Sequence, residues 1–149
     1  LVATMAGHVQ TSETGDSRRV RFVWRAPNER RLLVIDDNEG FEELFRRYLA
    51  GHGWEVIGAR NGAQARTLIA QTQPTAVMLD VLMPQEDGWE LLMALQRDES
   101  TRAIPIIVCS VINQPQVAIT LGAAACLPKP VTQQALLRVL APWSESPHD

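Results

Sequence analysis

Four short, continuous apolar runs punctuate the chain: Leu32-Leu33-Val34-Ile35, Ala76-Val77-Met78-Leu79, Ile104-Pro105-Ile106-Ile107-Val108-Cys109 and, more weakly, Ala124-Ala125-Cys126-Leu127. Runs of this length without alternation suit strands covered on both faces. Trp54-Glu55-Val56-Ile57-Gly58 reads as a further strand between the first two. Between the strands the period lengthens. Phe41, Leu44, Phe45, Tyr48 and Leu49 fall at i, i+3, i+4, i+7 and i+8, one face of a helix. Gly51 and Gly53 stop that helix. Asn61 is placed to cap a second helix reaching Gln71, with Ala65, Leu68 and Ile69 inward, before Pro74. A third helix runs from Gly88 to Arg97 with Trp89, Leu92 and Leu95 on one side. A short fourth, from Gln116 to Leu121, ends at Gly122. Thr132 caps a fifth, which buries Leu136, Leu137 and Leu140 and stops at Pro142.

This alternation of strand and helix predicts an α/β domain. It has a five-stranded, doubly wound parallel sheet with helices on both faces and functional residues at the strand C-terminal ends. The domain takes in residues 31–141, and residues 142–149 read as a tail. Residues 1–30 are different in character, rich in Thr, Ser, Gly and Arg. Within them Arg19-Val20-Arg21-Phe22-Val23-Trp24 alternates in part, as a strand would, until Ala26-Pro27 breaks it. The segment is read as a linker or the end of an upstream domain. A first residue Leu1 rather than Met fits a piece of a longer protein.

Bulk properties narrow the function classes. The net charge of -3 argues against nucleic-acid or anionic-membrane binding through this domain. No apolar run approaches the ~20 residues of a membrane span. The spacing of Cys109 and Cys126 fits neither a zinc ligand set nor a redox pair. They read as small buried side chains in a reducing, cytoplasmic setting.

The candidate chemistry sits just past the strands. Asp36 and Asp37 follow the first strand, Asp80 ends the third, Ser110 follows the fourth and Lys129 the fifth. Taken singly, each has an ordinary explanation: a solvated helix N-terminus, a cap, a turn hydroxyl, a surface charge. Together, at one edge of one sheet, they make a shallow pocket of three carboxylates, a hydroxyl and an ammonium. Three neighbouring carboxylates repel and call for a cation, and hard oxygen donors beside phosphate suit Mg²⁺. A carboxylate can attack phosphorus to give an aspartyl-phosphate, with Lys129 and Mg²⁺ neutralising the phosphoryl oxygens and Ser110 hydrogen-bonding one of them.

Val34-Ile35-Asp36-Asp37, Leu79-Asp80-Val81-Leu82-Met83-Pro84 with Asp87-Gly88, Ser110, and Lys129-Pro130 resemble the response-regulator receiver (CheY-like) family. The resemblance spans roughly residues 31–141. It implies a flavodoxin-like sheet of order 2-1-3-4-5, with Asp80 as the phosphoacceptor. Asp36, Asp37, Asp80 and the backbone carbonyl of Leu82 would hold Mg²⁺, while Ser110 and Lys129 would meet the phosphoryl group. It also implies a cis bond before Pro130 and a structural role for Gly88. The phosphoryl donor would be a sensor histidine kinase or a phosphotransfer protein, and copies could pair through helix 4, strand 5 and helix 5.

Departures from the pattern carry their own expectations. Cys126 stands where the family most often has Tyr or Phe, so the usual switch of Ser/Thr plus aromatic cannot operate through Ser110 in its usual form. Leu82, Val111 and Ile112 add apolar bulk beside the site, which would exclude attacking water and prolong the phosphorylated state. The competing reading is a pseudo-receiver, a phosphorylation-independent protein-interaction module on the same fold. A flavodoxin-like cofactor binder would want a phosphate loop where Asp36-Asp37-Asn38-Glu39 stands. A haloacid-dehalogenase-type phosphatase would want a second Asp where Leu82 stands. The stretch from Arg21 to Pro27 resembles the closing strand of a kinase ATP-binding domain, which suggests a hybrid sensor kinase as the parent.

Overall fold

The alternating side chains of three central strands feed two separate cores, and this positions everything else. The structure, a computed structural model, describes the backbone of residues 6–14, 17–25 and 30–144, and the side chains of 30–144. Strands β1 (Ala6–Thr14) and β2 (Ser17–Arg25) form an antiparallel hairpin within the segment expected to be a linker or domain end. The side chains of those two strands lie outside the described residues.

The domain proper begins with β3 (Arg30–Ile35), followed by α1 (Glu39–Leu49), β4 (Trp54–Ala59), α2 (Gly62–Thr72) and β5 (Ala76–Leu79). After two two-residue strands, β6 (Leu82–Met83) and β7 (Glu86–Asp87), come α3 (Gly88–Arg97), β8 (Ile106–Ser110), α4 (Pro115–Thr120), β9 (Ala125–Pro128) and α5 (Gln133–Ser144). The main sheet has the order β4-β3-β5-β8-β9, all pairs parallel. This is the predicted 2-1-3-4-5 order.

On one face Leu33, Ile35, Val77, Leu79, Ile106 and Val108 pack with α2 and α3. On the other, Leu32, Val34, Ala76, Met78, Ile107 and Cys109 pack with α1 and α5. Burial on both faces is why these strands show no polar alternation. Helix α1 starts at Asn38, whose side chain accepts from the Gly40 N–H at 2.8 Å. It stops where Gly51 and Gly53 take positive φ. Asn61 caps α2 as predicted, accepting from the Gln64 N–H at 2.8 Å. Asp87 caps α3, and Thr132 accepts from the Ala135 N–H at 3.1 Å to cap α5.

Two sequence expectations need correction. Pro142 does not end α5, which runs on to Ser144 and into the predicted tail. Proline has no N–H to give the Arg138 carbonyl and its ring crowds that carbonyl, so the helix continues against a local cost. The last turn is held instead by the Ser144 hydroxyl donating to the Leu140 carbonyl at 2.8 Å, with Trp143 against the core. The fourth strand begins after Ile104-Pro105, at Ile106.

The segment between Asp80 and α3 closes on itself through β6 and β7, with Leu82 opposite Asp87 and Met83 opposite Glu86. Gly88 seals this turn. A Cβ at Gly88 would overlap the Val81 backbone, so the residue is glycine for space. Among the described residues no helix is long and apolar enough to cross a membrane.

Candidate functional site

Three of the polar residues predicted to act, Asp36, Asp80 and Lys129, are anchored by a hydrogen bond that continues a strand ladder by one step. The Asp36 N–H donates to the Ala59 carbonyl at 3.0 Å, the Asp80 N–H to Ile35 at 2.9 Å and the Lys129 N–H to Ser110 at 3.0 Å. Ser110 itself is the last residue of β8, in register with Pro128. Asp36, Asp80, Ser110 and Lys129 therefore stand at the C-terminal ends of four adjacent strands. The Lys129–Pro130 bond is cis.

Lys129 ties the pocket together. Its Nζ donates to Asp36 Oδ2 at 2.8 Å and to Asp80 Oδ2 at 3.3 Å, and lies 3.7 Å from the centre of the Phe41 ring. The other carboxylate oxygens are held by their own loops. Asp36 Oδ1 accepts from the Asn38 N–H and Asp80 Oδ1 from the Leu82 N–H, both at 2.9 Å. Ser110 Oγ accepts from the Ile112 N–H at 3.2 Å. Asp36, Asp80 and Ser110 are buried while Asp37 is exposed. Among the described residues no buried side-chain polar atom lacks a partner.

The charges do not balance. Burial pushes the Asp36 carboxyl above its ordinary 3.8, and the charge of Asp80 adds to that, against the opposing pull of the Lys129 hydrogen bond. Burial also works to lower the Lys129 pKa, but the hydrogen bond to Asp36 and the charges of both carboxylates outweigh it and hold the ammonium protonated above 10.5. One ammonium thus serves two buried carboxylates, with a third at the rim. One carboxylate oxygen from each of Asp36, Asp37 and Asp80 lies within 4.8 Å of the others. An all-oxygen, net-negative donor set of this kind fits a hard divalent cation, and Mg²⁺ above softer metals.

Leu82, Val111 and Ile112 are 43 %, 68 % and 40 % exposed, forming an apolar rim rather than core. Cys126 is half-buried against the core on the α2/α3 face. Burial raises its thiol, with a backbone hydrogen bond from Gln114 pulling the other way. Cys109 is buried, and desolvation pushes its thiol up to about 12.

Sequence reasoning missed three features. Phe41 was read only as a core position, yet its ring faces the Lys129 ammonium. Beside Asp37 opens a cleft of about 520 Å³, walled by Arg60 and Asn61 on one side and residues 83–86 on the other. Across it Glu86 accepts a hydrogen bond from the Gly62 N–H at 2.7 Å.

Known proteins share this fold. The family model for the response regulator receiver domain matches residues 32–141. Response regulator MprA of Mycobacterium sp. (strain KMS) is 36 % identical over 110 residues, covering 72 % of this chain and 47 % of MprA. The chain thus spans about half the length of that relative. Protein PilH of Pseudomonas aeruginosa is 31 % identical over 113 residues, covering 74 % of this chain and 93 % of PilH. The chemotaxis protein CheY4 of Vibrio cholerae superposes with a TM-score of 0.70 at 25 % identity, over 76 % of this chain and 98 % of CheY4.

The raised pKa of Asp36 has a stability consequence. A carboxyl whose folded pKa lies above its unfolded value of 3.8 binds its proton more tightly when folded. Its ionisation costs stability as pH rises from 3.8 through that folded value, and the cost levels off above it. In Mg²⁺-free buffer, Asp36→Asn is therefore expected to gain stability relative to wild type across this window. Urea midpoints measured at several pH values check this; a difference independent of pH contradicts it.

Proposed function

Because the chain belongs to the response-regulator receiver family, we propose that it takes a phosphoryl group onto Asp80 from a phosphohistidine. Domains of this family are signalling domains of two-component systems, partners of histidine kinases or phosphotransfer proteins, and not enzymes of ordinary turnover. The observation that carries the assignment is the Asp80 carboxylate, buried at the end of β5 and reached by the Lys129 ammonium at 3.3 Å.

In the transfer an Asp80 carboxylate oxygen forms the new bond to phosphorus, and the bond from phosphorus to the donor imidazole nitrogen breaks. The electron pair leaves with that nitrogen. Hydrogen bonds to the Leu82 N–H and to Lys129 fix the carboxylate before the donor arrives. The Lys129 ammonium then offsets charge on the phosphoryl oxygens, and the Ser110 hydroxyl, which carries its own O–H donor, hydrogen-bonds one of them. Asp36, Asp37, Asp80 and the backbone carbonyl of Leu82 would hold Mg²⁺. When bound, Mg²⁺ supplies the second positive charge that the phosphoryl oxygens and the carboxylates share.

Output in this proposal runs through repacking of α4 against β9. Cys126 is too small to swing as an aromatic would, whereas α4 is only six residues long and starts without a side-chain cap. Its exposed Val117 and Ile119 give copies or partners an apolar surface to pair through. The parent we favour is a hybrid sensor kinase, with residues 1–30 closing an upstream domain. A cytoplasmic setting accords with two free cysteines.

The test is direct. After incubation with Mg²⁺ and phosphoramidate or acetyl phosphate, the intact mass should rise by one phosphoryl group, roughly 80 Da. The gain should vanish in Asp80→Asn and without Mg²⁺. A chain that takes no phosphoryl group from these donors or from a phosphorylated phosphotransfer protein is a pseudo-receiver. The apolar rim yields a second expectation. Leu82→Asn combined with Ile112→Glu admits water to the acyl phosphate, so the phosphorylated double variant should lose its label several-fold faster than wild type. Equal half-lives would remove the rim's role as a water barrier.

A further inference from the structure

Glu86 sits on β7, and its side chain crosses the cleft beside Asp37 to reach α2. There Oε2 accepts from the backbone N–H of Gly62 at 2.7 Å. Gly62 is the buried first residue of α2, and a Cβ at that position would collide with the Glu86 carboxylate. Glycine therefore makes the seat that the carboxylate fills. The first N–H groups of a helix have no partner inside the helix and lie at the positive end of its dipole, so a carboxylate there forms a charge-assisted bond. Asn61 serves a different donor, the Gln64 N–H. The two contacts satisfy different N–H groups of the same helix end.

Apart from Met83, which is buried in the core on the α2/α3 face, the other attachments of this turn are near Asp80. Leu82 is held by Asp80 Oδ1 at 2.9 Å, and Gly88 packs on the Val81 backbone. Glu86 is in register with Met83, one residue beyond Leu82. Its bond to Gly62 links the turn to a separate element 24 residues away in sequence. We infer that Glu86 is a positioning residue: through Gly62 it straps the turn after Asp80 to α2. It thereby holds the Leu82 carbonyl in place for the divalent cation and keeps the cleft at fixed width. This rests on the Mg²⁺ site of the proposed function. Partners that orient a metal's ligands without touching the metal commonly set its affinity.

Three forms of the full chain test it: wild type, Glu86→Gln and Glu86→Leu. Leucine fills similar volume but leaves the Gly62 N–H without its acceptor, whereas the glutamine amide oxygen still accepts. Mg²⁺ alone is titrated by calorimetry, hydrogen exchange of the Gly62 amide is followed without metal, and urea midpoints compare the folds. Glu86→Leu should bind Mg²⁺ about tenfold more weakly and exchange the Gly62 amide faster. Glu86→Gln should stay near wild type on both. A leucine variant with wild-type Mg²⁺ affinity overturns the inference. So do a Gly62 amide that exchanges alike in all three and a glutamine variant that fares as badly as leucine. A wild type that binds no Mg²⁺ overturns it together with the receiver reading. A wild type that binds Mg²⁺ but takes no phosphoryl group overturns only that reading, and the affinities of the variants still decide the strap.

Discussion

One ammonium shared between two buried carboxylates is the constraint around which the domain is arranged. Lys129 stands 2.8 Å from Asp36 and 3.3 Å from Asp80. A charge removed from water needs a close partner, and burying an unpaired one is strongly unfavourable. The arrangement is therefore stable only if β3, β5 and β9 bring these three side chains to one point. The single positive charge also leaves the cluster net negative. Under the proposed function, the same imbalance that costs the resting fold would make the pocket receptive to a divalent cation and, with it, to a phosphoryl group.

The sheet supplies the required precision. Asp36, Asp80 and Lys129 each continue a parallel ladder by one backbone hydrogen bond, so their Cα positions are set by the strands rather than by free loops. The strands in turn are locked by two cores, one on each face. Strand-end carboxylates on so rigid a support need little reorganisation when charge develops, which is where such sites gain their rate. Around this centre stand two short elements, the six-residue α4 and the turn between β6 and β7 that Glu86 ties to α2. Signalling by a change of packing would draw on the first, and cation binding on the second.

Much of this was legible in the sequence because burial on both faces leaves an unmistakable trace. Leu32 to Ile35, Ala76 to Leu79 and Ile106 to Cys109 could be read as central strands, and the first polar residue after each run became a site residue. Asn61 and Thr132 announced their helices by the ordinary chemistry of capping. What stayed hidden depends on distant partners. Phe41 satisfies a helix periodicity whether or not a cation lies over its ring, and Glu86 in a turn looks like any solvated acid until Gly62 is placed beside it. Gln73, in the left-handed region at φ 48°, closes α2 in a conformation that glycine or asparagine would have signalled. Pro142 misled because the local cost of a breaker is offset where Trp143 packs on the core and Ser144 meets the Trp54 ring N–H.

In the proposed function Asp80 and Lys129 form a phosphoryl pocket that takes up one divalent cation. The measurement that tests this most directly is amide NMR of the domain titrated with beryllofluoride, a phosphoryl mimic, with and without Mg²⁺. The result expected is a saturable set of shifts in the loops after β3, β5, β8 and β9 that needs both components and is absent in Lys129→Met. Binding without Mg²⁺, binding unaffected by loss of Lys129, or no binding with both components present would contradict it.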